Sequence, residues 1–481
     1  MLIDGKLVDA DSGSTFENVN PATEEVLGTV ADASAAEMER AIDAARRAFH
    51  STDWPTNRDL RKQCLAQLQA ALEAEKEAFR AELIAEVGCP VMTTLGPQLD
   101  GPVGSAIRWP MEHMDAFPWV EELPDTDHAM GAGSTRQLMR EPAGVVGAIT
   151  PWNFPLEVIL NKVGQALATG NTMVLKPAPD TPFNATRLAK LVAEQTDIPA
   201  GVFNVVTSSD HLVGEELTLS PKVDLISFTG STVVGRRIMS KGGETIKRLF
   251  LELGGKSATI VLEDAPLDQA VMMGMAACFH AGQGCAIQTR MLLPRSRYDE
   301  GVEMLSTFFA GVPYGDPTRD DVMMGPVISD KQRRRILGYI EKGVEEGATL
   351  AVGGKVPGAH PKGWFLEPTL FTNVDNSMTI AQEENFGPVL VVIPFDDEED
   401  AIRIANDSPY GLSGGVWSAS VDHGLSVASR IRTGNVGVNG GMSMGPDVPF
   451  GGYKHSGVGR QNGFAGLHQY VGTKALAFPK A

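Results

Sequence analysis

Cys285 stands in the segment HAGQGCAIQTR, residues 280–290, directly after Gly284 and three residues after Gly282. A cysteine that fills a core gap has no use for glycines beside it. A thiol that must meet a ligand gains room where the backbone carries no side chains. The chemistry to look for is covalent attack by a thiolate on an electrophilic carbon. His280 is a conceivable base, but five residues of spacing do not place an imidazole against the sulfur, and a structural role is the plainer reading. The other cysteines are Cys64, Cys89 and Cys278. No CxxC pair occurs, and the interval from Cys278 to Cys285 has neither metal-finger form nor a matching pair of histidines, so no metal site is expected. Cys64 falls within a helical pattern and reads as packing.

Four further positions combine reactive or ligand-binding types with a place just after an apolar, strand-like run. PWNFP, residues 151–155, holds Asn153 between two prolines. Its amide could donate to an oxyanion or bond its own backbone as an ordinary turn asparagine. Lys176 ends NTMVLK, where a lysine can bond ribose hydroxyls or phosphate, though a solvated surface lysine would look the same. VDLISFTGSTVVGRR, residues 223–237, reads as strand, then Gly230-Ser231-Thr232, then a helix carrying Gly235. A helix N-terminus there suits a pyrophosphate, although the pattern is not GxGxxG. Glu252 in RLFLELGGK alternates with leucines. In apolar surroundings its pKa would rise and suit general-base work, whereas an edge-strand glutamate would point to water.

The elements that must position these residues follow a regular alternation from residue 143. AGVVGAIT, NTMVLKPA, GVFNVVTS, VDLISFTGS and RLFLELGG read as strands. LNKVGQALATG, TRLAKLVAEQT, HLVGEELTLS and TVVGRRIMSKGG read as the helices between them. The pattern predicts a doubly wound parallel sheet with helices on both faces, which binds ligands at the carboxyl ends of its strands. A second α/β series starts near residue 255: KSATIVL, RMLLP and PVLVVIPF as strands, with DQAVMMGMAACFHAG, YDEGVEMLSTFFAGV, KQRRRILGYIEKGVEEGA and EEDAIRIAND as helices. Ahead of both, the opening reads as short strands turning at Asp4-Gly5, Ser12-Gly13 and Asn20-Pro21. Ser34 and Glu37 then have capping-box spacing before an apolar stripe of Met38, Ile42, Ala45 and Phe49. LRKQCLAQLQAALEAEKEAFRAELIAEVG reads as one further helical stretch. The Gly/Pro-rich segment 438–459 is long for a mere connection, and long ordered loops often carry function.

The chain has 481 residues, enough for an extensive core without disulfides or metals. A net charge of −19 argues against a nucleic-acid partner. The beginning MLIDGKLVDADSG has no basic stretch followed by an apolar one, and no transmembrane run follows. A soluble, cytoplasmic protein with no membrane partner is expected.

Taken together, PWNFP, LKPA, FTGSTVVG, LELGGK, GQGC, EENFGP and PFGGYKHSGVGR occur in the order and spacing of the aldehyde dehydrogenase superfamily, which the chain resembles from NVNPATEEV at residues 18–26 to its C-terminal strand. The resemblance implies an aldehyde-dehydrogenase-like α/β fold. A doubly wound Rossmann-type cofactor domain would span 1–118 and 143–253, and an α/β catalytic domain 254–453. A small β oligomerisation element would span 119–142 and 454–481 and support a homodimer or homotetramer. It implies Cys285 as nucleophile, Glu252 as general base and Asn153 as oxyanion-hole amide. On the cofactor side it implies Lys176 at the adenosine ribose, Gly230, Ser231 and Gly235 at the pyrophosphate turn, and Glu384 and Phe386 at the nicotinamide ribose and ring, with Trp152 beside them.

The implied reaction is NAD(P)-dependent oxidation of an aldehyde to a carboxylic acid, through a cysteine thiohemiacetal and thioester. The cofactor implied is NAD. NADP remains open because Pro179 stands where many relatives carry a ribose-binding glutamate that repels a 2′-phosphate. A second acidic residue of many relatives is replaced by Gly472. Val158, Asn161, Met444 and Phe450 fall near the family's aldehyde tunnel, and no convergent basic pair is present. The expectation is a small-molecule aldehyde that is apolar: aliphatic, aromatic or terpenoid. Three rival readings are a CoA-acylating dehydrogenase, for which Glu252 would be superfluous, a non-catalytic structural relative, and a cysteine hydrolase using His280.

Overall fold

The computed structural model describes residues 1–128 and 131–480. Its first sheet has eight strands in the spatial order Gly457–Val458, Arg248–Glu252, Leu225–Thr229, Val145–Ile149, Thr172–Lys176, Phe203–Val205, Leu2–Ile3, Lys6–Leu7. The five strands from Val145 to Glu252 are parallel to one another, and every residue of Thr172–Lys176 and of Leu225–Thr229 is buried. Strand order runs outward in both directions from Val145–Ile149, so the connections that leave it and Leu225–Thr229 diverge to opposite sides. A crevice forms at such a reversal, beyond the carboxyl ends of the strands. Asn153 and Gly230-Ser231 flank this point, with Lys176 and Glu252 one strand further out on either side.

The second sheet has seven strands in the order Thr349–Val352, Thr369–Thr372, Val389–Phe395, Gln288–Pro294, Ser257–Val261, Ser413–Trp417, Asn435–Val438. All are parallel except the antiparallel edge strand Thr349–Val352. The chain passes from the carboxyl end of Arg248–Glu252 through Gly254-Gly255 into the amino end of Ser257–Val261. Cys285 and Glu384 likewise precede their strands. The first sheet thus offers its carboxyl ends and the second its amino ends. Ligand-facing residues of the second series therefore come before the strands, not after them.

Several sequence-based boundaries change. The stretch from Leu60 to Gly88 is two helices, Arg58–Ala74 and Lys76–Val87, interrupted at Glu75. DQAVMMGMAACFHAG is not one helix: Leu267–Met272 is α-helical, then a 3₁₀ stretch loses helical geometry at Phe279. Within 454–481, Gly457–Val458 pairs with Leu251 and Glu252 at the edge of the first sheet, so that segment does not all belong with the small β element. Val471–Pro479 does pair with Gly131–Pro142, which pairs in turn with Val120–His128. Thr349–Val352, Thr369–Thr372, Ser413–Trp417 and Asn435–Val438 were not anticipated. The sequence SGGVW hides its strand behind glycines, one of which, Gly415, leaves only 3.0 Å between a hypothetical Cβ and Gln288 Oε1. Ser34 and Glu37 form the predicted capping box at the start of Ala35–Ser51.

The helix Pro155–Ala168 carries the site's main support. Proline at its first position suits the helical start, and its side chains are buried almost all round, as expected of a helix inside a two-faced sheet protein. Gly164 brings it against the preceding helices: a methyl group there would stand 2.1 Å from the Ala106 carbonyl oxygen. Gly164→Ala should cost about 1–3 kcal/mol by overpacking, read as a lowered melting temperature with reduced activity. Unchanged melting would contradict this close approach.

Candidate active site

The loop before Cys285 is built on a backbone that runs left-handed through His280 (φ 50°), Ala281 (φ 53°) and Gly282 (φ 70°). Gly282 is required, because a Cβ would lie 2.0 Å from the Gly387 carbonyl oxygen. Buried hydrogen bonds hold the turn. His280 Nε2 bonds the Asn153 carbonyl at 2.9 Å, and Gln98 Nε2 donates to the same oxygen at 2.8 Å. Gln283 accepts from the Ile328 amide at 2.8 Å and donates to the His280 carbonyl at 3.2 Å. The Asn153 side-chain amide donates to the Gln283 carbonyl at 2.8 Å. A carbonyl can only accept, so His280 carries its proton on Nε2. Burial pushes its pKa down to about 4, leaving a neutral, structural imidazole rather than a base for the thiol.

Asn153, Cys285 and Glu252 meet at this junction. Glu252 ends its strand almost completely buried, and among the described residues its Oε1 has no hydrogen-bond partner. Burial pushes its pKa up to about 8, reinforced by Glu157 and Glu384 and opposed by Lys162 and the Cys285 thiol. Cys285 is half-exposed by surface yet deep within the protein. Burial, followed by the charges of Glu252, Glu157 and Glu384, holds its thiol well above the ordinary range. At neutral pH both groups hold their protons, and deprotonated Glu252 is the nearby acceptor for a proton from sulfur or from water.

Sequence reasoning missed three groups here. Lys162 is fully buried, donates to Ser227 Oγ at 2.9 Å and lies 4.9 Å from the Phe250 ring centroid. Burial lowers its pKa to about 7, while Glu252 and Glu157 oppose the shift. Its signal was the one cation in the helix Pro155–Ala168. Glu157, on the same helix, accepts from Asn161 Nδ2 at 2.9 Å. Lys256 is buried, within reach of the charges of Arg290 and Glu384, and among the described residues its Nζ has no hydrogen-bond partner.

On the opposite side of the crevice, Lys176 is buried and donates to the Ser208 carbonyl at 3.0 Å. Burial lowers it to about 8, while Asp180, Asp32 and Asp210 pull it back. Ser231 N-caps Thr232–Gly242, its Oγ accepting from the Val234 amide. Gly235 lets that helix pack on Leu253, whose Cδ2 would be 2.6 Å from an added Cβ, and an added Cβ at Gly230 would meet the Phe228 ring at 2.5 Å. Glu384 Oε1 accepts from the Gly255 amide at 3.0 Å, and burial raises its pKa to about 7. Phe386, itself left-handed (φ 57°), meets Trp152 edge-on with ring centroids 5.4 Å apart. Pro179 is half-buried and offers no polar group.

Of the four tunnel residues named from the sequence, Val158 and Asn161 are buried on the helix that bears Glu157, whereas Met444 is 50% exposed on the Gly-rich segment. Phe450 is half-buried and fixed by backbone hydrogen bonds to Gln461. Among the described residues no group of His, Cys, Asp or Glu could hold a metal ion.

Cys64, Cys89 and Cys278 are fully buried, with burial raising their thiols, to about 11 for Cys64 and about 12 for Cys89. The native protein should therefore take up one alkyl group per chain from iodoacetamide, mapped by mass spectrometry to Cys285. Labelling of any other cysteine first would contradict this geometry.

Comparison with known proteins agrees with the arrangement. The model of the Aldehyde dehydrogenase family matches residues 7–476. The chain is 40% identical over 479 residues to the putative aldehyde dehydrogenase DhaS of Bacillus subtilis (strain 168), covering 99% of this chain and 94% of that one. A Mycobacterium tuberculosis aldehyde dehydrogenase complexed with NAD+ superposes with a TM-score of 0.93 at 44% identity, covering 99% of this chain and 97% of that one. A mutant of aldehyde dehydrogenase C from Pseudomonas syringae, complexed with NAD+ and octanal, superposes with a TM-score of 0.92 at 37% identity, over 99% and 96% of the two chains. With its sheets, crevice and reactive groups in this arrangement, the chain belongs to the aldehyde dehydrogenase family.

Proposed function

We propose that this enzyme oxidises an aldehyde to the carboxylic acid with NAD as acceptor. The observation that carries the proposal is a half-accessible thiol, Cys285, set between a buried carboxylate, Glu252, which it hydrogen-bonds, and a rigidly held amide, Asn153. Proton transfer to Glu252 frees the thiolate, which attacks the carbonyl carbon. The resulting oxyanion takes a hydrogen bond from the Asn153 amide, which exchanges its present acceptor, the Gln283 carbonyl, for the new charge. After oxidation the carbon is a thioester on Cys285. Glu252, once it has passed the thiol proton to solvent, draws a proton from water as it attacks, and the thiolate leaves with the acid released.

The crevice fits a dinucleotide. Lys176 offers an ammonium at a strand end, Ser231 opens a helix N-terminus, and Glu384 and Phe386 stand on the Cys285 side. The chemistry such a cofactor supplies when bound is acceptance of the hydride. NAD+ in the two related structures favours NAD, while Pro179 places no carboxylate against a 2′-phosphate, so NADP is a secondary acceptor in this reading. Val158 and Phe450 support an aldehyde with an apolar chain, in line with octanal in the related Pseudomonas structure. Homodimers or homotetramers would form through the three-stranded sheet, whose outer strand Val471–Pro479 exposes Leu476 and Phe478. A cytoplasmic setting suits four free thiols.

Aldehyde-dependent NADH formation without CoA, lost in Cys285→Ala, is the expected result. Formation only with CoA would move the enzyme to the acylating class, and aldehyde-independent ester hydrolysis without NAD would favour a thiol hydrolase. Because Glu252 works deprotonated, turnover limited by hydrolysis should fall as pH drops through about 8. The same acidic limb persisting in Glu252→Gln would contradict its assignment as the base.

A further inference from the structure

Asn153 is held by its backbone as well as by its side chain. A carbonyl oxygen has two lone pairs, and that of Asn153 accepts two buried hydrogen bonds from separate parts of the chain. One comes from His280 Nε2 at 2.9 Å, in the loop before Cys285. The other comes from Gln98 Nε2 at 2.8 Å, in the turn between the helices Val91–Thr94 and Asp100–Ser105. His280 also belongs to the left-handed turn that presents the thiol. Gln98 has no such local task, since its backbone amide already closes its own turn on the Thr93 carbonyl at 3.1 Å. A glutamine that served only to tie two loops together would pair both ends of its amide, as Gln283 does with the Ile328 amide and the His280 carbonyl. Gln98 is completely closed off from solvent, and among the described residues its Oε1 has no hydrogen-bond partner. A methionine of similar volume would avoid the desolvation of that oxygen. The side chain thus carries a cost in stability for the sake of one bond. That bond ends on the peptide of the residue whose side-chain amide donates to the Gln283 carbonyl at 2.8 Å, two residues before Cys285. With a donor on each lone pair the Asn153 peptide plane is fixed, and with it the direction in which the amide reaches.

We propose that Gln98 is a positioning residue of the reaction: its hydrogen bond fixes the Asn153 peptide, so that the Asn153 amide meets the oxyanion formed when the Cys285 thiolate adds to the aldehyde. Gln98 acts through Asn153 and not on the reacting atoms. This rests on the aldehyde-oxidising reading given above. A misplacement of about 1 Å costs up to ~100-fold in rate. A peptide that keeps one of its two donors, His280, loses less, about tenfold. Alkylation of Cys285 by iodoacetamide forms no oxyanion, so it reports the thiol alone.

The test is kcat/KM for hexanal with NAD, the rate of Cys285 alkylation by iodoacetamide and the melting temperature, for wild type, Gln98→Met, Asn153→Ala and the double variant. Gln98→Met should lower kcat/KM about tenfold. Its alkylation rate should stay within about twofold of wild type, and its melting temperature should be unchanged or higher. In Asn153→Ala no amide is left to position, so adding Gln98→Met should change kcat/KM by less than about twofold. Gln98→Leu, a second apolar replacement, should behave as Gln98→Met does and keeps the test available if either fails to fold. Unaltered kcat/KM in Gln98→Met, a loss of activity matched by a lowered melting temperature, or about a further tenfold loss in the Asn153→Ala background would each overturn the assignment of Gln98. Wild type that oxidises no aldehyde would overturn the parent reading instead.

Discussion

The left-handed turn from His280 to Gly282 is the constraint on which the site depends. Two of its three residues carry side chains in a region that costs each roughly 1–2 kcal/mol. Buried hydrogen bonds hold the turn: the His280 ring bonds the Asn153 carbonyl, and Gln283 bonds the Ile328 amide and the His280 carbonyl. These bonds join a loop of the second sheet to the loop after Val145–Ile149 of the first. The thiol and the amide that face one carbonyl group are therefore fixed by the same short network. Were the helix to continue through residue 282, Cys285 would be carried away from Asn153.

Around this turn the protein concentrates ionisable groups where water is scarce. Glu252, Glu157 and Glu384 are all raised by burial, and Lys162 and Lys256 are lowered by it. Shifts of this kind, desolvation joined to specific charge partners in a crevice, mark candidates for proton transfer. The same burial suppresses the thiolate until a proton acceptor is in place, which limits stray reactions of the resting cysteine. Burial of carboxylates costs stability, and the close packing of Pro155–Ala168 against both neighbouring layers offsets it.

Much of this was legible in the sequence. Ser34 and Glu37 announced a capped helix, and alternating apolar runs gave the five parallel strands from Val145 to Glu252. Asn153, Glu252 and Cys285 each stood out by residue type and position, and the structure brings them together. What escaped was governed by tertiary contact. Glu157 and Lys162 lie in a helix buried almost all round, whose periodicity does not say which charged side chains act on Glu252. The kink after Phe279 lies in a small-residue run with good helix formers, so local propensity argued for continuation. Strands such as Ser413–Trp417 owe their existence to neighbours on both sides, which no local pattern reveals. The placement of Gly457–Val458 beside Leu251 and Glu252 joins segments some 200 residues apart in the chain.

The most direct test of the central claim, that Cys285 carries the acyl group and Glu252 activates the water that removes it, is intact-protein mass spectrometry of Glu252→Gln mixed with octanal and NAD. The account predicts an octanoyl adduct on Cys285 that forms more slowly in the variant, because Glu252 also takes the thiol proton, but then persists there, whereas in wild type it is fleeting. Its absence from the variant while NADH still forms at the wild-type rate, or its appearance on another residue, would contradict it.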